Sequence, residues 1–180
     1  MRLFLAIDVP GEDALALRGL QATMSGGRPV PEGTFHITLA FLGDDVEATE
    51  AEDLNDQLEA ARLLAATLKL EGFGHFGHDE PRAIWVGIAP TGVLDPLHGQ
   101  VTRMARKAGL ELPRRRFVPH VTLARYSKGD MTGLTDLQRL FERHAPFSGT
   151  PFRAETLHLM RSHLTARGPE YDVLASYPLS

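Results

Sequence analysis

The chain has no cysteine among its 180 residues, which excludes a disulfide scaffold, a thiolate metal site and a cysteine nucleophile. Long apolar runs are missing too. Near the start only Leu3 to Ile7 is continuously apolar before Asp8 interrupts, too short for the hydrophobic region of a signal peptide or for a membrane span. A soluble, cytoplasmic protein is expected. No Walker loop is present to mark a phosphate-binding nucleotide fold, and no G-x-S-x-G to mark a serine hydrolase. Nothing reads as a linker or low-complexity tract. With 43% hydrophobic and 23% charged residues, the composition is that of a globular protein, and residues 1–180 are the length of one domain or two small lobes.

Charge is scarce in one sign at a time. The net charge of −4 conceals an acidic stretch from Asp44 to Glu59 without a lysine or arginine, and a basic one from Val101 to Lys128 whose only acid is Glu111. The latter includes Arg114, Arg115 and Arg116. Such runs serve as solvated helix faces or as electrostatic footprints for a polyanion.

The periodicities give alternating elements. Strands are expected at Leu3–Val9, Phe35–Leu42, Thr67–Leu70, Ala83–Ala89, Phe117–Tyr126, Phe152–Met160 and Tyr171–Ser176. Helices fall between them: one with Leu15, Leu20 and Met24 inward, an acidic one with Leu54, Leu58 and Ala61 inward, one across Gly92–Ala108 capped by Gly109, and one marked by Leu134, Leu137 and Phe141. The Gly-rich segment before Ala83 reads as a loop, with His75, His78, Asp79 and Glu80 in an exposed turn. Mixed strand-to-strand connections predict an α+β fold with largely antiparallel sheet.

One pattern occurs twice. His36-Ile37-Thr38-Leu39-Ala40 and His120-Val121-Thr122-Leu123-Ala124 both read H-[IV]-T-L-A, 84 residues apart. Alternation on a strand puts His36 beside Thr38 and His120 beside Thr122, with the intervening apolar residues facing inward. Two imidazoles on rigid strands suit displacement at phosphorus: one takes a proton from the attacking hydroxyl, and the other gives one to the leaving oxygen. The threonines would donate to non-bridging phosphate oxygens. This scheme needs no metal or other cofactor, and H-x-T without a nearby carboxylate is a poor zinc pattern.

These blocks resemble a known family. The pair H-x-T-L … H-x-T-L is similar to the signature of the two-histidine phosphoesterase superfamily. The flanks MRLFLAIDVP, HITLAFLG, Gly72-Phe73-Gly74 with Pro81 to Gly87, RFVPHVTLAR and a final segment with Ser162, Leu164, Gly168 and Tyr171 narrow it to the RNA 2′,3′-cyclic phosphodiesterases, the LigT-like or 2′-5′ RNA ligase family. Where that family commonly has a tryptophan before the first motif, this chain has Arg28-Pro29-Val30-Pro31. Where it often has a lysine, Ala40 stands. The resemblance implies a bilobal fold of two pseudo-symmetric lobes with outer helices around a central cleft, one motif from each lobe. It also implies metal-independent hydrolysis of RNA 2′,3′-cyclic phosphate ends to 2′-phosphomonoesters, and weak 2′-5′ RNA ligation.

Further residues follow with less pattern behind them. The family places an arginine matching Arg125 near phosphate, although strict alternation puts Arg125 on the inward face with Val121 and Leu123 unless the strand bulges or ends at Ala124. Arg114, Arg115 and Arg116, just before the second motif, are candidates for the RNA backbone. Trp85 and Phe73 read as core residues, and His98, His144, His158 and His163 have no partner pattern. The expected partner is RNA with a 2′,3′-cyclic phosphate end, acted on by a monomer. Two other functions suit the same residues: a non-catalytic RNA-end binder, and a hydrolase of a small cyclic phosphate such as ADP-ribose 1″,2″-cyclic phosphate.

Overall fold

Strand β1 (Leu3–Asp8), buried along Leu3–Ile7, is an interior strand of the main sheet. A computed structural model describes the chain except for residues 25, 32, 79, 114, 131–133, 145, 166 and 167, and describes 134–137 by backbone alone. The further elements are α1 (Gly11–Ala22), β2 (Arg28–Pro29), β3 (His36–Gly43), α2 (Ala48–Glu59), β4 (Ala66–Leu68), β5 (Leu70–Phe76), β6 (Ala83–Ile88), α3 (Leu94–Lys107), β7 (His120–Arg125), α4 (Leu134–His144), β8 (Phe152–Ala154), β9 (Thr156–Thr165) and β10 (Gly168–Pro178). An eight-stranded sheet runs β10-β9-β1-β3-β7-β6-β5, with β2 also on β7, and β4 pairs β8 apart from it. All pairings between these strands are antiparallel. The fold is the expected α+β class.

The two motif strands meet at the middle of the sheet through one residue pair, Ile37 opposite Val121. Both are fully buried, as are Leu39 and Leu123, so the apolar positions of the repeat anchor it in the core. The helices complete that core. Helix α2 buries Ala51, Leu54 and Leu58, and α3 buries Leu94, Leu97, Val101 and Ala105, the one-sided stripe of a surface helix. Gly109 closes α3 at φ 94°, a left-handed position that glycine adopts without strain.

Three local expectations are corrected. Helix α1 turns Asp13 and Leu17 inward while Leu15 is 72% exposed. A carboxylate takes the first inward position because it accepts the Thr150 backbone N–H. The Gly-rich segment is strand β5, not a loop: Gly74 lies opposite Trp85, and a Cβ there would collide with the indole ring, so the glycine marks a close approach across the ladder. His75 is therefore a strand residue opposite Ile84 rather than part of an exposed turn. Gly72, Gly74 and Gly77 carry dinucleotide-motif spacing, but β5 leads into β6, without the helix that motif requires. Finally, β7 begins at His120 and not Phe117, since Pro119 has no N–H for the ladder.

Candidate active site

Each motif strand holds a bulge at the same place. Between β1 and β3, Leu5 pairs with Ala40 and Ala6 with Thr38, leaving Leu39 as the extra residue. Between β6 and β7, Ile84 pairs with Ala124 and Trp85 with Thr122, leaving Leu123 extra. Two consecutive buried residues result in each strand, Leu39-Ala40 and Leu123-Ala124. Past the bulge the alternation is inverted. Phe41, which unbroken alternation from Ile37 would turn inward, joins the face of His36 and Thr38, and Arg125 joins the face of His120 and Thr122.

The register Ile37 to Val121 sets His36 level with Thr122 and Thr38 level with His120. All four line one cavity of about 70 Å³, together with Arg125 and Tyr171. That is a little over twice the ~30 Å³ share of a water molecule, room for one phosphate-sized group. Two larger openings flank it. One, of about 410 Å³, includes Phe4, Arg28, His36, Phe41, Arg125 and Tyr171. The other, of about 810 Å³, includes His98, Arg106, Arg115, Arg116, Phe117 and His120. They adjoin along Arg2, Thr38, Phe41 and Arg125.

The two imidazoles are held alike. His36 Nδ1 lies 2.7 Å from the Thr34 carbonyl oxygen, and His120 Nδ1 lies 2.7 Å from that of Val118. A carbonyl only accepts, so each Nδ1 carries hydrogen and donates, and Nε2 is left as the titrating nitrogen. Aromatic rings wall both: Phe4 and Tyr171 at 5.0 and 5.2 Å from His36, Phe76 and Trp85 at 4.8 and 5.7 Å from His120. Trp85 thus flanks a motif histidine, whereas Phe73 packs on the core and against Phe141.

Burial lowers the pKa of both histidines below the ordinary imidazole range. In His36 the Thr34 bond and the Asp8 carboxylate oppose this, while Arg125 and His120 add to it. In His120 the Val118 bond opposes, and Arg125 again adds. Opposite His36 across the ladder stands Asp8, which also pairs with His158 at 3.2 Å. Opposite His120 stands Gly87. Tyr171 accepts a hydrogen bond from Arg125, and burial raises its pKa.

The structure therefore gathers His36, Thr38, His120, Thr122 and Arg125 in one place, with Arg115 and Arg116 along the larger opening. Arg114 lies outside the described residues. Among the described residues no three histidines, aspartates or glutamates are grouped to hold a metal ion. Arg28, Tyr171, Trp85 and Phe76 were not legible as site residues: none belongs to a repeated motif, and strands remote in sequence carry them in. All four histidines without a partner pattern proved to have partners: His98 stacks on Phe117 at 4.1 Å with Nδ1 2.7 Å from the Leu39 carbonyl, His158 pairs with Asp8, His144 Nε2 lies 2.7 Å from Thr23 Oγ1, and His163 Nε2 lies 2.7 Å from Asp172 Oδ2.

The chain as a whole is similar to known proteins in sequence and fold. A protein of Geobacillus stearothermophilus named RNA 2′,3′-cyclic phosphodiesterase is 31% identical over 183 residues, covering 98% of this chain and 56% of its own length. The chain thus spans little more than half of that relative. One of the same name from Aeropyrum pernix is 33% identical over 149 residues, covering 82% of this chain and 83% of its own. The crystal structure of Escherichia coli LigT complexed with 3′-AMP superposes with a TM-score of 0.82 at 27% identity, covering 99% of this chain and 98% of that one. The model of the 2′-5′ RNA ligase superfamily matches residues 10–166. With that match across most of its length and a fold shared with LigT, the chain belongs to the 2′-5′ RNA ligase superfamily.

Proposed function

We propose that the protein hydrolyses the 2′,3′-cyclic phosphate at an RNA end to a 2′-phosphomonoester, with His36 and His120 as its acid–base pair. The observation that carries this reading is the single small cavity lined by both histidines and both threonines, each imidazole fixed through Nδ1 so that Nε2 is left to exchange protons. The relatives that carry the name RNA 2′,3′-cyclic phosphodiesterase support it.

In this reading water attacks phosphorus and gives its proton to Nε2 of one histidine. The bond from phosphorus to the 3′ oxygen breaks, and Nε2 of the other protonates that oxygen. Both imidazoles are depressed in the free protein, so the pair favours the neutral base. The anionic phosphate restores the proton to the acid, since a negative charge beside an imidazole stabilises its cation. Thr38 and Thr122 donate to the non-bridging oxygens, and Arg125 balances their charge as it grows in the transition state. Arg115 and Arg116 border the larger opening and give RNA a cationic bed. The same displacement with a 5′-hydroxyl in place of water as nucleophile, the 3′ oxygen again leaving, is 2′-5′ ligation.

Incubation with a short RNA ending in a 2′,3′-cyclic phosphate, in EDTA, tests the reading. It requires the 2′-phosphomonoester as product. An unchanged end, or a mixture of 2′- and 3′-phosphates, would count against it.

A further inference from the structure

Arg28 stands directly opposite Arg125 in the β2–β7 ladder. Side chains so paired share a face with Cβ atoms about 4.5–5.5 Å apart, and like charges there repel. Both line the 410 Å³ opening beside His36, whose lining holds no aspartate or glutamate. Among the described residues neither guanidinium is ion-paired to a carboxylate.

This repulsive placement is built into the backbone. Gly26 and Gly27 both have φ 70°, a conformation costly for any other residue, and a Cβ on Gly27 would lie 2.7 Å from the Tyr126 ring. From α1, the Gln21 side-chain amide donates to the carbonyls of Val30 at 3.1 Å and Leu123 at 2.7 Å. The Val30 N–H donates to the Leu123 carbonyl at 2.9 Å. Two left-handed glycines, an aromatic floor and a bridging amide hold Arg28 over the strand that carries the second motif. An anion between the guanidiniums turns the repulsion into two charge-assisted contacts.

We propose that Arg28 and Arg125 form a second phosphate subsite on the His36 side of the cleft, for a phosphate attached to the 5′ position of the reacting ribose. The proposal rests on the reading of a cyclic phosphate held between the histidines: that opening shares His36, Thr38, Arg125 and Tyr171 with the central cavity, so a ribose leaving the cavity there brings its 5′ group toward Arg28. Such a phosphate is the linking diester of an RNA chain or the diphosphate of a small nucleotide.

The test compares kcat/KM for a nucleoside 2′,3′-cyclic phosphate alone, with a 5′-phosphate, with a 5′-diphosphate, and extended by one 5′ nucleotide. A 5′ phosphate should raise kcat/KM about tenfold, mainly through KM, and Arg28→Ala should bring the ratio between substrates to about one, with Arg28→Lys between. A gain for the dinucleotide assigns the subsite to RNA, and a gain for the diphosphate alone assigns it to small nucleotides. No gain for any of them, or a gain that survives Arg28→Ala, overturns the proposal. If no substrate is turned over, the hydrolytic reading has failed. Calorimetric binding of nucleoside 2′,5′-bisphosphate against nucleoside 2′-phosphate then decides the subsite separately: tighter binding that Arg28→Ala abolishes supports it, and equal binding overturns it. Arg28 is exposed, and removing it should not lower Tm, since it relieves a like-charge contact.

Discussion

Arg125 stands five residues after His120 as Phe41 stands five after His36, and matching bulges turn both onto the histidine face. The two halves of the site share this bulge and differ in charge at this position, as they do where Asp8 faces His36 and Gly87 faces His120. Arg125 lines the central cavity and depresses both imidazoles. Arg125→Gln should therefore cost about 10² in kcat/KM, the scale of losing one preorganised donor to a developing oxyanion. It should also move the acid limb of the pH profile upward, because removing a cation eases protonation of its neighbours. A loss of rate with an unshifted limb would assign Arg125 to substrate binding alone.

The depressed histidines also link stability to pH. The unfolded chain holds ordinary imidazoles near pKa 6.5, so as pH falls through that value it takes up protons that the folded site refuses, and the folded state loses stability. The contribution is fully present above about pH 6.5 and is gone below the lowered folded values. Urea midpoints should accordingly fall between about pH 7.5 and pH 5, and less so in His36→Gln than in the parent. The only tryptophan, Trp85, lies 5.7 Å from the His120 ring, and an imidazolium quenches indole fluorescence. Its emission should drop on acidification with a midpoint below 6.5, and His120→Gln should remove that step. A midpoint above 6.5 would contradict the account of burial at His120.

Arg115 and Arg116 offer an electrostatic prediction. Both are exposed and border the larger opening. Neutralising the pair should weaken an oligonucleotide more than a cyclic mononucleotide, and should reduce the slope of log K against log salt by roughly one per lost phosphate contact. Equal losses on both substrates would mean that these arginines serve the reacting phosphate or the fold. No loss on either would leave them as a solvated loop.

The repeated motif was legible because its chemistry and its anchoring use the same two-residue period: His36 and Thr38 on one face, Ile37 and Leu39 on the other, and the same again from His120. That period carried no sign of the bulges, so unbroken alternation would turn Phe41 to the wrong side and Arg125 was left conditional. Glycine misled at Gly74, where the reason for it is the Trp85 ring on a neighbouring strand, a contact outside any local window. Asp13 misled in the other direction, since a charged residue was not counted toward the inward face of α1. The aromatic walls and Arg28 were beyond local reading for a different reason. Sheet order decides which strands border the motifs, and the sheet interleaves the chain so that β1, β9 and β10 flank β3 while β2, β5 and β6 gather around β7.

The central claim is that His36 and His120 work as one unit on the same phosphate. Rates should be measured for His36→Ala, His120→Ala and the double variant on an RNA ending in a 2′,3′-cyclic phosphate, with folding checked by circular dichroism. Each single change should lower kcat by roughly 10² to 10⁴, and the double variant should lose little more than the worse single one, since either loss breaks the proton relay. Activity at the parent level in either single variant, or losses that multiply in the double one, would contradict the account.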